Sequence, residues 1–307
     1  MESTDTPMPR PKRLISWTGE RMVPWADEPS IIHEHLHRYL FTRQFADGKA
    51  VLDLGSGEGY GSNLLAETAE KVTGIELDHL AVAHARLQYD KPNLEFLEGS
   101  VLKLEAIPDS SIDVAVCFEV IEHISDQETL LNEVARVLRP DGIFLVSTPD
   151  REVYNQALGF VNPYHLKELD RPEFAALLGT HFGHVRMYGQ RAVVGSFLVP
   201  LDAEPGSLHE ASRLVVRQDT GKWDVVPVPP AKYLLAMASR VPLPPTPIDS
   251  LLLDSGLEGP PEDPLHVRRP IVGGATILAR SLLHMVRKQL ALALRARNLR
   301  REQKSKG

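Results

Sequence analysis

The chain predicts a doubly wound α/β fold, in which helices cover both faces of a mostly parallel sheet. Three observations predict it. Short apolar runs of strand length alternate with segments of helical spacing between residues 50 and 190. The run opened by Asp113 is near-continuously apolar, as a strand buried on both faces must be. The run through Val51, Leu52 and Leu54 breaks into three alternating glycines, Gly55, Gly57 and Gly59, which allow a tight turn and close backbone approach to a ligand.

The elements follow in order. Residues 50–54 form the first strand, and residues 63–70 read as the helix after the glycine turn. Residues 72–76 form the second strand, ending in the carboxylate of Glu76, and residues 80–88 a helix. Residues 94–98 and 113–118 are the third and fourth strands. Residues 126–137 are a helix with Leu130, Leu131, Val134 and Leu138 along one side. Arg139, Pro140, Asp141 and Gly142 carry a turn signal, and residues 143–147 form the fifth strand. A helix at 171–178 and late strands at 185–188 and 192–194 complete a seven-stranded sheet.

The flanks differ from this core. Residues 1–13 are a polar leader expected to be disordered, and residues 14–48 an N-terminal extension with an amphipathic helix at 30–45. The central domain is expected over 49–198. Thirteen of the 24 prolines fall between Pro200 and Pro270, so residues 199–275 read as a linker or wrap with a short helix at 232–239. Residues 276–307 read as a basic helix. Residues 280–307 hold nine Lys/Arg and one Glu, +8 of a total of −7, so the rest of the chain stands at −15. That acidic body argues against binding long nucleic acid. The basic helix suits docking on the chain's own core with a frayed basic end, a self-associating coil or homodimer, or a peripheral contact with the inner membrane face or a glycosyltransferase. One cysteine, Cys117, excludes an internal disulfide, and no run reaches the ~20 apolar residues of a membrane span. A cytoplasmic setting is expected.

Strand, glycine turn, helix, strand and carboxylate is the layout of a nucleoside-binding unit, in which Glu76 accepts from a ribose diol. The Gly-x-Gly-x-Gly spacing, with Asp53 two residues ahead and no second phosphate motif, favours S-adenosylmethionine (SAM) over a dinucleotide. Asp53 is placed to orient the turn and reach the donor's ammonium group.

Segments 51–60, 72–78, 93–101, 112–124 and 136–149 resemble, in order, the motifs of class I SAM-dependent methyltransferases. The resemblance covers residues 48–190 and implies a Rossmann-like fold. It also implies a donor site at Asp53, Gly55, Ser56, Gly57, Gly59, Glu76, Leu77, Ser100, Val101 and Phe118. Ser100 and Val101 would lie near the adenine, although many relatives carry an acidic residue where this chain has Ser100.

Beyond the fourth strand stand Glu119, Glu122 and His123, which share one face if the turn is helical. Two carboxylates and an imidazole suit Mg²⁺ or Mn²⁺, with His165 as a fourth ligand. The Glu-x-x-Glu-His pattern is similar to that of ubiquinone-biosynthesis O-methyltransferases and of small-RNA 2′-O-methyltransferases, which implies a metal beside the methyl donor. Without a metal, His123 is the base, with Glu119 beside it. The plainer alternative is that the glutamates cap the next helix and His123 lines the pocket. Thr18, Gly19, Glu20 and Arg21, followed by the polar run Glu34 to Tyr39, resemble methyltransferases of bacterial glycan synthesis. The expected activity is therefore O-methylation of a sugar or glycan hydroxyl. The alternatives are a quinol or polyketide methyltransferase and a noncatalytic SAM-fold scaffold.

Overall fold

The computed structural model describes residue 15 and residues 21–26, 28–158, 162–193, 215–219, 222–226, 230–245, 250 and 252. The leader at 1–13 and the basic helix at 276–307 lie outside the described residues. The chain divides into two units at residue 251, and the described helices and strands all belong to the first.

Helix α1 (Pro29–Ala46) begins on a proline, whose missing N–H is no loss in a first turn. Strand β1 (Ala50–Leu54) leads through the glycine turn into α2 (Tyr60–Leu65). Strand β2 (Lys71–Glu76) follows, then α3 (His79–Gln88), where the Asp78 side chain accepts from Leu80 N. Strands β3 (Leu94–Glu98) and β4 (Ile112–Phe118) precede a short 3₁₀ turn at Ile121–His123. Helix α4 (Gln127–Val137) is capped by Asp126 and runs into β5 (Leu138–Pro149). Helices α5 (Arg151–Leu158) and α6 (Arg171–Gly179) follow, the latter opened by an Asp170–Glu173 capping box. Strand β6 (His184–Gln190), the hairpin β7 (Val215–Asp219) with β8 (Lys222–Val226), and β9 (Tyr233–Ser239) complete the described elements.

The seven-stranded sheet has the order β3-β2-β1-β4-β5-β9-β6. Strands β1 to β5 pair in parallel, and β9 pairs antiparallel with both β5 and β6. The order reverses between β1 and β4, and the crevice at their carboxyl ends is where such sheets bind ligands. One apolar layer packs α4 and α6 on the sheet through Leu130, Leu131, Phe174 and Leu178. The other packs α1 and α2 through Tyr39, Phe41 and Leu65.

Four expectations are corrected. Residues 232–239 are not a helix in a linker. Tyr233–Ser239 is a strand, buried along its whole length, so the sheet draws on the segment expected to lie outside the domain. Leu234, Leu235, Ala236, Met237 and Ala238 are good helix formers, but burial between two strands overrides propensity. Ala192 and Val193 lie beyond the end of β6 and outside any strand. Residues 139–142 do not end an element. They form an irregularity inside β5, exposed at Arg139, Pro140 and Asp141 and buried at Gly142, where the register shifts between the Ile112–Leu138 and Val114–Ile143 pairs. Helix α2 starts earlier and ends sooner than the expected 63–70, while α5 carried no expectation.

Candidate active site

A cavity of about 560 Å³ opens at the β1–β4 crevice, within the ~300–1,000 Å³ usual for small-molecule sites. Its floor is the glycine turn. Gly55 and Gly57 sit at φ 75° and 58°, where a side chain is strained, and a Cβ on Gly55 would collide with Val120 Cγ2. Glu76 locks the turn to β2. One carboxylate oxygen accepts from Gly57 N at 2.9 Å and the other from Asp78 N at 3.0 Å. Each oxygen keeps lone-pair capacity for a ligand diol.

Of the expected donor residues, Gly55, Ser56, Gly57, Glu76, Leu77, Ser100, Val101 and Phe118 line this cavity. Asp53 and Gly59 do not. Asp53 is fully buried and accepts from Ser62 Oγ at 2.6 Å and Tyr39 Oη at 3.2 Å. Burial raises its carboxyl to about 6, against the pull of those two hydroxyls. It therefore orients Tyr39 and α2 rather than standing on the cavity wall.

The N-terminal segment supplies wall residues that the donor motifs did not indicate. Arg21 Nη2 donates to Asp78 Oδ2 at 3.0 Å and lies 3.7 Å from Glu76 Oε1, closing one side. Tyr39 and His35 stand on the wall with Tyr60, and His35 Nδ1 meets Tyr60 Oη at 3.0 Å. Their only sequence signal was the polar richness of residues 18–21 and 34–39.

Glu119 and His123 also line the cavity. Glu119 has φ 56°, an unusual conformation for a non-glycine residue. Its carboxylate accepts from Ser147 Oγ at 2.7 Å and pairs with Arg38 Nη1 at 3.2 Å. The left-handed residue breaks the helical register assumed for positions 119, 122 and 123. Glu119 consequently drops out of the expected ligand set, and Glu122, His123 and His165 remain, with ligand atoms within 4.8 Å of one another.

Those three groups fit a divalent ion in part. Glu122 is buried with Oε2 unpartnered among the described residues, and burial, then Glu119, pushes its carboxyl well above the usual range. His123 Nδ1 lies 2.9 Å from the Tyr164 carbonyl, so Nδ1 carries the proton and Nε2 the lone pair. His165 Nδ1 lies 2.5 Å from Glu168 Oε1, the carboxylate-backed arrangement of many metal-binding histidines. Its Nε2 lies 3.1 Å from Asn162 Nδ2, which a metal would have to displace.

Residues 52–146 match the methyltransferase domain family. A protein described as a probable S-adenosylmethionine-dependent methyltransferase of Mycolicibacterium smegmatis is 41% identical over 167 residues, covering 53% of this chain and 63% of that protein. The ubiquinone biosynthesis O-methyltransferase of Idiomarina loihiensis is 33% identical over 122 residues, 39% of this chain and 50% of that protein. The chain thus spans less than two thirds of these relatives' own length. The chain also shares its fold with a SAM-dependent methyltransferase from Archaeoglobus fulgidus, at a TM-score of 0.50, 15% identity, and coverage of 68% of this chain and 92% of that one. Among the described residues, no helix is long and apolar enough to cross a membrane.

Proposed function

We propose that this chain is a SAM-dependent O-methyltransferase that methylates a sugar or glycan hydroxyl. The observation that carries the reading is one cavity lined both by Glu76 and the glycine turn and by Glu119 and His123. The names of the mycobacterial and Idiomarina relatives support, respectively, the donor and an oxygen acceptor.

In this reading Glu76 accepts from the ribose hydroxyls, and the Gly55–Gly57 turn lets the backbone approach the donor. The acceptor oxygen attacks the methyl carbon as the carbon–sulfur bond breaks, giving the methyl ether and S-adenosylhomocysteine. The hydroxyl proton passes to His123 Nε2, the nitrogen left free by the Tyr164 contact. Glu122, His123 and His165 would hold Mg²⁺ or Mn²⁺, which would supply a lowered pKa at a chelated hydroxyl. With His123 so engaged, Glu119 is the base on the cavity wall.

A second reading, a quinol acceptor, draws on the name of the Idiomarina relative and on the rings of Tyr39, Tyr60 and Phe118 in the wall. One assay separates the readings. The protein is incubated with methyl-labelled SAM and either methyl α-glycosides or catechol, with Mg²⁺ or with chelator. Labelled glycoside is expected. Label in catechol alone favours the second reading, and undiminished transfer in chelator removes the metal. No detectable SAM affinity would leave only a scaffold.

A further inference from the structure

Behind Glu119 lies a second group of polar side chains that the donor site does not use. Arg38, on α1, is 1% exposed. Its Nε donates to Gln190 Oε1 at 2.7 Å, and its Cζ lies 4.7 Å from the centre of the Tyr233 ring. Neither Nη1 nor Nη2 has a hydrogen-bond partner among the described residues, and Nη1 meets Glu119 only as an ion pair at 3.2 Å. One helical turn away, Glu34 is 4% exposed and its Oε2 is likewise unpartnered. Lys232 places its ammonium 4.8 Å from the Tyr233 ring centre and 5.4 Å from that of Tyr154. Among the described residues Glu34 forms no ion pair with Arg38 or Lys232.

These groups are continuous with the reacting end of the cavity. From His123 the contacts run to His165, with ring centres 5.0 Å apart, then to Tyr154 at 5.6 Å and Tyr233 at 5.9 Å. From Tyr233 they return through Arg38 to Glu119. The circuit therefore starts and finishes on the wall of the donor cavity. Topology explains why it gathers there. Strand β6 ends at Gln190 and β9 begins at Tyr233, both at the sheet edge that carries the crevice. Lys232 N donates to the Gln190 carbonyl at 3.0 Å, and Gln190 Nε2 to the Glu34 carbonyl at 2.8 Å, tying α1 to that edge.

We propose that Glu34, Arg38 and Lys232, with the rings of Tyr154 and Tyr233, are the acceptor subsite, and that it selects a ring bearing several hydroxyls over an apolar-tailed phenol. A hydroxyl both donates and accepts. The subsite offers a donor at Arg38 Nη2, the Lys232 ammonium and an acceptor at Glu34 Oε2, beside the Tyr233 and Tyr154 rings over which the Arg38 and Lys232 cations lie. An apolar tail would leave the buried guanidinium and carboxylate unpaired, which is how such sites reject a ligand lacking the matching hydroxyls. The balance of charge, two cations beside the carboxylates of Glu34 and Glu119, matches an uncharged sugar better than an anion. This assignment rests on the proposed methyltransferase reading.

The test uses the full chain, wild type and with Arg38→Lys or Lys232→Met. SAM affinity is first measured by calorimetric titration. Saturation-transfer NMR on the protein loaded with S-adenosylhomocysteine then measures binding of the methyl α-glycosides of glucose, mannose, galactose and rhamnose, with catechol as the diol lacking a sugar ring. At least one glycoside is expected to bind about tenfold tighter than catechol, and each variant to weaken it about tenfold while SAM affinity stays within about twofold. Catechol binding as tightly as every glycoside, no glycoside binding, or unchanged glycoside binding in both variants overturns the subsite. Equal losses of glycoside and SAM binding assign these residues a structural role and overturn it as well. A wild-type protein with no SAM affinity fails the methyltransferase reading itself, a result distinct from all of these.

Discussion

The glycine turn after β1 lines the cavity, and the polar circuit around Tyr233 meets it at Glu119 and His123, but the two are assembled over very different stretches of chain. At the turn, Glu76 reaches Gly57 across 19 residues, inside a single strand–helix–strand unit. In the circuit, Arg38 reaches Gln190 across 152 residues, and the contact exists only once β9 lies between β5 and β6. The donor wall is thus a local property of the sequence, and the proposed acceptor wall is a property of the finished sheet. Closing long loops before contacts form is entropically costly, so the second wall depends more on global stability than the first.

The largest effect is expected from Ala236→Asp. It places a charge in the middle of β9, where residue 236 is fully buried, and should remove the cooperative melting transition in calorimetry. A transition within about 5 °C of wild type would break the comparison, because the acceptor edge would then be dispensable. Next comes His123→Ala, which should lower methyl transfer by about 10²–10⁴-fold with SAM affinity little changed. A parallel loss of SAM affinity would show that the two walls are not separable.

Asp53 gives a smaller effect with a definite sign. Burial raises its carboxyl from 3.8 to about 6, so the folded state favours the neutral acid. Its contribution to stability is full below pH 3.8 and is lost as pH rises through about 6, a cost of about 3 kcal/mol at neutral pH. Asp53→Asn should remove this slope, so its melting temperature gains on wild type between pH 4 and 7, and parallel profiles would refute it. The smallest effect is expected from Glu76→Ala. Losing an acceptor for the ribose hydroxyls should raise the SAM dissociation constant about tenfold to a hundredfold and leave glycoside binding unchanged. Weakened glycoside binding would again join the two walls.

The same division governs what could be read from the chain beforehand. Gly55, Gly57 and Glu76 announce themselves because turn, strand and carboxylate recur at short fixed spacing. Glu119 and His123 were visible as residues, but their grouping was not. The 119–123 segment opens on a left-handed residue, and nothing in Glu-Val-Ile-Glu-His signals that. Tyr233 and Lys232 were hidden by a proline-rich neighbourhood and by helix formers in β9. Tyr154 sits on a helix whose role depends on meeting Tyr233, a contact invisible to periodicity.

Strand β9 also sets an order of events during synthesis. It is the sheet partner of both β5 and β6, so neither pairing can form until Ser239 has left the ribosome, although residue 190 emerged well before. Over that interval the nascent chain carries an open apolar edge at β5, a template for pairing with the wrong strand. Pro229 and Pro230 stand just ahead of β9, and Pro242, Pro244 and Pro245 just behind. Prolines in those positions interrupt any strand that tries to lengthen, so the residues that disguise β9 in the sequence also fix where that strand begins and ends.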